Sequence, residues 1–346
     1  MEKRRLGRTD IHLPAICLGT MTWGGQNTEP EGFAQMDLAL DRGVTFWDTA
    51  EMYAVPPTAD TYGRTETIIG NWFASRGRRD EVFLATKAIG QSPGGFGWVR
   101  GGTARLDRAN LVRAVEDSLR RLRTDRIDLY QLHWPDRRAD RFGRRADDMP
   151  EAAETPIAET LHALADLVTA GKIRHVGVSN ETPWGVMTYL REAERLNLPR
   201  IVSIQNPYNL LNRTFEDGLA EIALREDVGL LAYSPLGGGT LTGKYLGGRL
   251  PAGSRRAIDP RKSRYDTPRA EAATAAYLDI ARRHGLDPAQ MALAWVHRQP
   301  FVTATIIGAT SLDQLRTDLD AFDLVLPPEV LEAIDRVHAM NPNPCP

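Results

Sequence analysis

Eight short apolar runs rich in β-branched residues recur along the whole 346-residue chain, and no other feature restricts its fold as strongly. They are AICLGT from 15, VTFWDT from 44, VFLATK from 82, IDLYQLHW from 127, IRHVGVSN from 173, IVSIQNP from 201, GLLAYSP from 229 and VTATIIGA from 302. Several are apolar at consecutive positions, as strands covered on both faces should be. Amphipathic helical stretches lie between them. DRANLVRAVEDSLRRLRTD places Leu111, Val115, Leu119 and Leu122 on one stripe. TPIAETLHALADLVTAGK opens on a Thr-Pro start and stops at Gly171, and TPWGVMTYLREAERLN follows the same plan. Strands alternating with helices over residues 1–346, with no second composition regime, predict a single α/β domain, a (β/α)8 TIM barrel. An open doubly wound sheet is the competing architecture. It calls for a Gly-rich fingerprint after its first strand, and LGTMTWGG does not match one.

Loop lengths give the barrel a direction. The turns before Val44, Ile173 and Ile201 are short, whereas the loops after Lys87, Trp134 and Leu236 are long. Long loops on one face mark the C-terminal mouth of a barrel enzyme. KRRLGRTDIHLP reads as an N-terminal β-hairpin plugging the opposite face. DPAQMALAWVHRQ and PPEVLEAIDRVHAM read as extra C-terminal helices that exceed the repeat. The basic run RRLRTDR from 120 reads as a solvated helix end.

Composition removes several function classes. With 43 basic and 45 acidic side chains the net charge is −2, which speaks against nucleic acid and anionic membrane surfaces as partners. Two cysteines, Cys17 and Cys345, are too few and too far apart for a disulfide scaffold or a metal cluster, and no metal site is expected. No apolar run approaches a membrane span, and MEKRRLGRTD lacks the apolar segment of a secretion signal, so a cytoplasmic location is expected.

The chemistry gathers at the strand ends. In VTFWDTAEMY, Val44, Phe46 and Asp48 share one face of a strand, so a carboxylate closes a core-facing row. Asp48 reads either as a helix or turn cap or as a site residue. Asp48, Lys87, His133, Asn180, Gln205 and Ser234 each end a different apolar run, and in a barrel these positions converge on one mouth. Singly, a histidine before Trp-Pro is a satisfied structural group and a strand-end lysine reaches for water. Together, unpaired, they would be costly to bury.

Tyr53, Lys87, Asp48 and His133 make a coherent set. A phenol is a weak acid at neutral pH, an ammonium beside it lowers its pKa, and a carboxylate holds the ammonium in place. A histidine at the same mouth can hydrogen-bond the oxygen being reduced. Such a set suits donation of a proton to a carbonyl oxygen as hydride reaches the carbon. It lacks the ligand spacing of a metal hydrolase, and no GxSxG elbow occurs.

The motifs DTAEMY, ATK and LYQLHWP, in that order, resemble the catalytic motifs of the aldo-keto reductases. The similarity continues through GKIRHVGVSN, SIQNPYNLLNR, AYSPLGGGTLTGKY and IIGATSLDQLRTD over nearly the whole chain. It is nearest to the bacterial Tas-type NADP(H)-dependent branch, which also includes potassium-channel β subunits. The resemblance implies NADPH-dependent reduction of small aldehydes and ketones, with Tyr53 as proton donor. Lys87 would depress its pKa, Asp48 would partner Lys87, and His133 would orient the carbonyl. Ser179, Asn180 and Gln205 would hold the nicotinamide carboxamide while Tyr233 stacks on its ring. Ser234, Pro235, Leu236 and Gly238 would follow the pyrophosphate, with Lys244 and Arg255 near the adenosine phosphate. Gly308, Thr310, Gln314 and Asp318 would sit at the adenosine end. The chain departs from many relatives at Thr317 and Asp318, where they carry Glu and Asn, which bears on adenine contacts rather than on the chemistry.

Some of these positions have independent meaning. GATSLDQL places Gly308 before a Ser-x-x-Gln capping box, either a phosphate-facing helix start or an ordinary capped helix. Gly237, Gly238 and Gly239 permit close approach of backbone to a ligand, or make a flexible loop. Lys244 and Arg255 have the alternative reading of ordinary surface cations on a mobile loop. Trp23, Trp98 and Trp134 fall on or beside mouth loops and would line an aromatic-tolerant pocket or pack the loops. Two other functions fit the same barrel: a cofactor-sensing partner of a channel, and an isomerase, for which metal ligands and a phosphate-substrate signature are missing.

Overall fold

The structure is a computed structural model that describes residues 1–92, 95–151, 153–259 and 263–345. Residues 93 and 94 of the Gly-rich 88–104 loop, and 260–262 of the long loop after Leu236, lie outside the described residues.

An antiparallel hairpin, β1 (Lys3–Arg5) and β2 (His12–Pro14), opens the chain. The repeat then runs β3 (Ile16–Gly19), α1 (Glu29–Asp41), β4 (Phe46–Asp48), α2 (Arg64–Arg76), β5 (Phe83–Ala88), α3 (Arg108–Leu122), β6 (Ile127–Leu132) and α4 (Ile157–Thr169). It continues through β7 (Ile173–Ser179), α5 (Pro183–Leu196), β8 (Ile201–Pro207), α6 (Leu219–Glu226) and β9 (Gly229–Tyr233). The short α7 (Arg255–Ile258) and α8 (Pro268–Arg283) precede α9 (Pro288–His297), β10 (Val302–Ile307), α10 (Leu312–Asp320) and α11 (Pro328–Met340). Strands β3 to β10 close in sequence order into a parallel barrel, β10 pairing with β3. All eight apolar runs are strands of this (β/α)8 barrel.

Two apolar layers explain the patterning. Cys17, Phe46, Ala85, Leu129, Leu231, Ala304 and Ile306 fill the barrel interior, while Trp47, Leu84, Tyr130 and Ile204 face the helices. Alternation along β4 therefore sends Phe46 and Asp48 inward and Trp47 outward. Val44 precedes the strand and packs in the outer layer, so it does not share the face of Phe46. The hairpin closes the bottom as expected: Leu6 and Leu13 belong to the interior layer. Burying each leucine contributes about 1.5–3 kcal/mol. A Cβ on Gly7 would lie 2.8 Å from the Val202 carbonyl oxygen, so only glycine lets the hairpin seat this closely.

Several local expectations need correction. Thr155 does not cap α4; its hydroxyl donates to Asp136 Oδ2 at 2.6 Å, and Pro156 holds the cap position. Arg121, in the basic run, is not solvated, because its Nε donates to the fully buried Glu66 carboxylate at 2.7 Å. The helix beyond the repeat is α8, which packs with α11, whereas α9 lies against β10 in the ring. Helix α8, PRAEAATAAYLDIARR, buries mainly small residues and so carries little periodic signal in the sequence.

Candidate active site

At the barrel mouth the ends of β4, β5, β6, β7 and β8 meet in one hydrogen-bonded network. Lys87 Nζ donates to Asp48 Oδ2 at 2.6 Å and to the Thr49 carbonyl at 2.7 Å. Gln131 Nε2 and Gln205 Nε2 donate to Asp48 Oδ1 at 2.9 and 2.8 Å, and Thr20 Oγ1 donates to the Asp48 carbonyl. Both carboxylate oxygens are thus satisfied. Two of the three Lys87 protons are committed, and its Nζ lies 4.9 Å from the Tyr53 ring centroid. Burial pulls the ammonium pKa down, but Asp48 and Tyr53 outweigh it and hold the group above its ordinary value. Asp48 is therefore not a helix cap.

The Tyr53 phenol departs from expectation. Burial pushes its pKa above the ordinary value, and the opposing charge of Lys87 does not overcome this. His133 packs edge-on to Tyr53, with ring centroids 5.8 Å apart. Burial and then the Lys87 charge push its imidazole well below the ordinary histidine range, so the ring is neutral. Its Nδ1 is buried with no hydrogen-bond partner among the described residues.

On the other side of the mouth, Asn180 Nδ2 donates to the His133 carbonyl at 2.8 Å and its Oδ1 accepts from the Tyr233 hydroxyl at 2.7 Å. Ser179 Oγ donates to the Gln205 carbonyl at 2.7 Å. Asn180 and Ser234 both adopt left-handed backbone, with φ of 51° and 53°, an uncommon geometry that tends to gather at functional sites. Gln205 differs from expectation in that its amide nitrogen serves Asp48 and Gln131.

The loop after β9 carries Ser234, Pro235 and Leu236 into Gly237, Gly238 and Gly239, whose φ values of 56°, 63° and 90° need glycine. A Cβ on Gly239 would meet Lys244 Cε at 2.7 Å, so Lys244 is folded back over this loop. The Lys244 charge also acts on Asp318 of α10. Arg255 opens α7, and its charge is felt at the Tyr233 phenol, so it bears on the mouth as well as on the loop. Ser311 caps α10 by accepting from Gln314 N, but Gln314 Oε1 accepts from Thr310 N and Oγ1, one residue outside a regular capping box. A Cβ on Gly308 would meet nothing within 4 Å, so the backbone there borders open space.

Of the tryptophans, Trp134 lies 5.0 Å from His133 and edge-on to Phe142, beside the mouth. Trp98 is exposed and packs on Phe96. Trp23 does not reach the pocket: it is fully buried beneath α1, with Nε1 donating to Gln35 Oε1 at 3.1 Å. Three residues of the site escaped the sequence reading. Gln131 sits two residues before His133, so the same alternation that turns His133 inward marks it. Glu51 and Arg100 form a buried ion pair at 2.5 Å, and Glu51 also accepts from Tyr62 and Ile89 N. That pair fastens the 88–104 loop to the turn carrying Tyr53.

Residues 15–339 match the profile of the aldo/keto reductase family. The chain belongs to this family. It is 50% identical to Protein tas of Escherichia coli (strain K12) over 347 residues, covering 100% of both chains. It is 32% identical over 335 residues to the L-glyceraldehyde 3-phosphate reductase of the same organism, covering 93% of this chain and 88% of that one. It is 30% identical over 352 residues to a probable voltage-gated potassium channel subunit beta of Oryza sativa subsp. japonica, covering 99% and 98%. The resemblance carried by DTAEMY, ATK and LYQLHWP is thereby borne out. As an aldo/keto reductase the chain is an oxidoreductase acting on small carbonyl substrates, and the family generally uses NAD(P)H. No helix among the described residues is long and apolar enough to cross a membrane.

Proposed function

We propose that this aldo/keto reductase reduces aldehydes and ketones to alcohols with NADPH, using Tyr53 as the general acid. The observation that carries the reading is the wholly enclosed Lys87 ammonium, held by Asp48 and directed at the Tyr53 ring. A stability role explains it poorly, since burying an ion pair seldom gains much over apolar packing. A fixed positive charge beside a phenol explains it well, because it stabilises the phenolate that remains after proton transfer.

The residues fit the cofactor. Glycines 237–239 and Gly308 leave backbone open on one side of the mouth, and Lys244 supplies a cation at the α10 end. Ser179, Asn180, Gln205 and Tyr233 would meet the nicotinamide, Ser234, Pro235, Leu236 and Gly238 the pyrophosphate, and Lys244, Arg255, Gly308, Thr310, Gln314 and Asp318 the adenosine end. When bound, NADPH supplies the hydride that reaches the carbonyl carbon. Tyr53 delivers its proton to the carbonyl oxygen, and the phenolate left behind is balanced by Lys87 until a solvent proton restores it. An alkoxide is a far stronger base than a phenolate, so the transfer is downhill even from a phenol with a raised pKa. The neutral His133 hydrogen-bonds the carbonyl oxygen and orients it without competing for protonation.

The potassium-channel relative keeps a second reading in view, a cofactor sensor that acts through a partner. Mixing the protein with NADPH and a panel of small aldehydes and ketones separates the two. Turnover of NADPH is expected. Saturable NADPH binding without turnover on any of the panel would favour the sensor.

A further inference from the structure

Arg264 differs from most interior arginines in what it lacks. Arg79 pairs with Asp128, Arg100 with Glu51, Arg121 with Glu66, Arg137 with Glu181 and Arg213 with Glu216. Arg264 is partly buried in the mouth, yet no carboxylate among the described residues partners it. Its polar contact is a long one, Nη2 to the Tyr233 hydroxyl at 3.4 Å. Its guanidinium carbon otherwise lies 5.8 Å from the ring centroids of Phe142 and Tyr265. A guanidinium carries five donors in a planar fork that matches carboxylate and phosphate oxygens. Among the described residues most of that fork is unused.

Its position is on the substrate side of the mouth. Phe142, from the loop after β6, packs edge-on to Trp134, which in turn packs against His133. Arg264 therefore closes a row that begins at the histidine assigned to the carbonyl oxygen. Tyr265, the next residue, faces the other way: its ring lies against Gly237 and its hydroxyl accepts from Asn209. The surroundings are positive. Burial pushes the Tyr233 phenol up, and the strongest charges acting on it are Arg264, Arg255 and Lys87. Arg141, beside Phe142, also has no carboxylate partner among the described residues and donates to the Arg137 carbonyl.

We propose that Arg264 is an anion receptor in the substrate mouth, selecting carbonyl compounds that carry a carboxylate or phosphate away from the reacting carbon. This rests on the reductase reading for the identity of the ligand as a substrate, while the anion site itself stands on a guanidinium with no carboxylate partner among the described residues.

The test compares 4-carboxybenzaldehyde with its neutral methyl ester, and glycolaldehyde phosphate with glycolaldehyde, on the NADPH complex of the wild type and of Arg264→Met. A charge-assisted hydrogen bond corresponds to about a 10- to 150-fold preference, so the wild type should favour at least one anion by that factor in kcat/KM. The carboxylate and phosphate pairs report which anion is read. Arg264→Met should abolish the preference through KM with kcat on the neutral compounds retained, and Arg264→Lys should restore part of it. NADPH affinity, followed by tryptophan fluorescence, should stay unchanged. Equal turnover of anionic and neutral partners by the wild type would overturn the proposal. So would a loss of NADPH affinity in Arg264→Met with the substrate preference intact, which would assign the guanidinium to the cofactor's diphosphate. Benzoate binding to the NADPH complex needs no turnover. Arg264-dependent benzoate binding without reduction of any aldehyde would uphold the anion site and sink the reductase reading instead.

Discussion

The Lys87 ammonium sits 2.6 Å from the Asp48 carboxylate with both side chains sealed from solvent, and Asp48 takes its remaining hydrogen bonds from Gln131 and Gln205. This ties four barrel strands together through one carboxylate. It also fixes the ammonium 4.9 Å from the Tyr53 ring centroid.

Removing the cation leaves that carboxylate buried without its partner. Lys87→Met should lower stability by about 3 to 5 kcal/mol, read from urea unfolding, and should also abolish carbonyl reduction. An active variant of wild-type stability would mean that the pair supports neither fold nor chemistry.

Asp318 gives the protein a titration of opposite sense to that of most carboxylates. Burial, reinforced by Asp287, raises its pKa to about 7, and the side chain has no hydrogen-bond partner among the described residues. The folded state holds this proton more tightly than the unfolded chain, so the carboxyl supports the fold at low pH. That support is lost as pH rises from the ordinary value of 3.8 through about 7. Asp318→Asn should remove the dependence and stabilise the protein at pH 8, by at most about 4 kcal/mol at 1.36 kcal/mol per pKa unit. Unfolding midpoints of both proteins at pH 5 and pH 8 measure it, and parallel pH profiles would refute it.

His133 titrates in the other sense. Its depressed pKa means the unfolded chain takes up a proton that the folded site refuses, so this contribution is complete above the ordinary value of 6.5 and fades as pH falls below it. Because the folded imidazole stays neutral and Tyr53 stays protonated, kcat/KM should be level from about pH 6 to 9. An acid limb near pH 6.5 that vanishes in His133→Gln would show that the ring is charged in the free enzyme.

Much of this was legible beforehand, for identifiable reasons. Barrel strands announce themselves because both faces are covered, and their ends announce the site because polar groups interrupt apolar runs there. Asp48, Lys87, His133, Asn180 and Gln205 each stand at such an end. Contacts set by distant segments were not. Thr155 looks like a cap until Asp136 is seen to claim its hydroxyl, and Trp23 looks like a mouth residue until α1 covers it. Arg121 looks like a solvated cation until Glu66 is brought beneath it. Arg264 carries no signal in the sequence, since the carboxylate it lacks among the described residues is a matter of placement in space.

Cofactor choice is testable at the adenosine end. Lys244, folded over Gly239 and within electrostatic reach of Asp318, and Arg255, at the start of α7, are the two cations proposed for the 2′-phosphate. Lys244→Ala and Arg255→Ala should each weaken NADPH binding by about 10- to 150-fold with little change for NADH. The effect should shrink in high salt. Fluorescence titration with both cofactors decides it, and equal losses would assign the two residues to loop structure.

The central claim is that Tyr53 gives the proton, and Tyr53→Phe tests it most directly because the ring stays while the proton is removed. Aldehyde reduction at saturating NADPH should fall by at least about 100-fold, with the NADPH dissociation constant unchanged. Reduction near the wild-type rate would contradict the account and leave the buried Lys87–Asp48 pair without its chemical purpose.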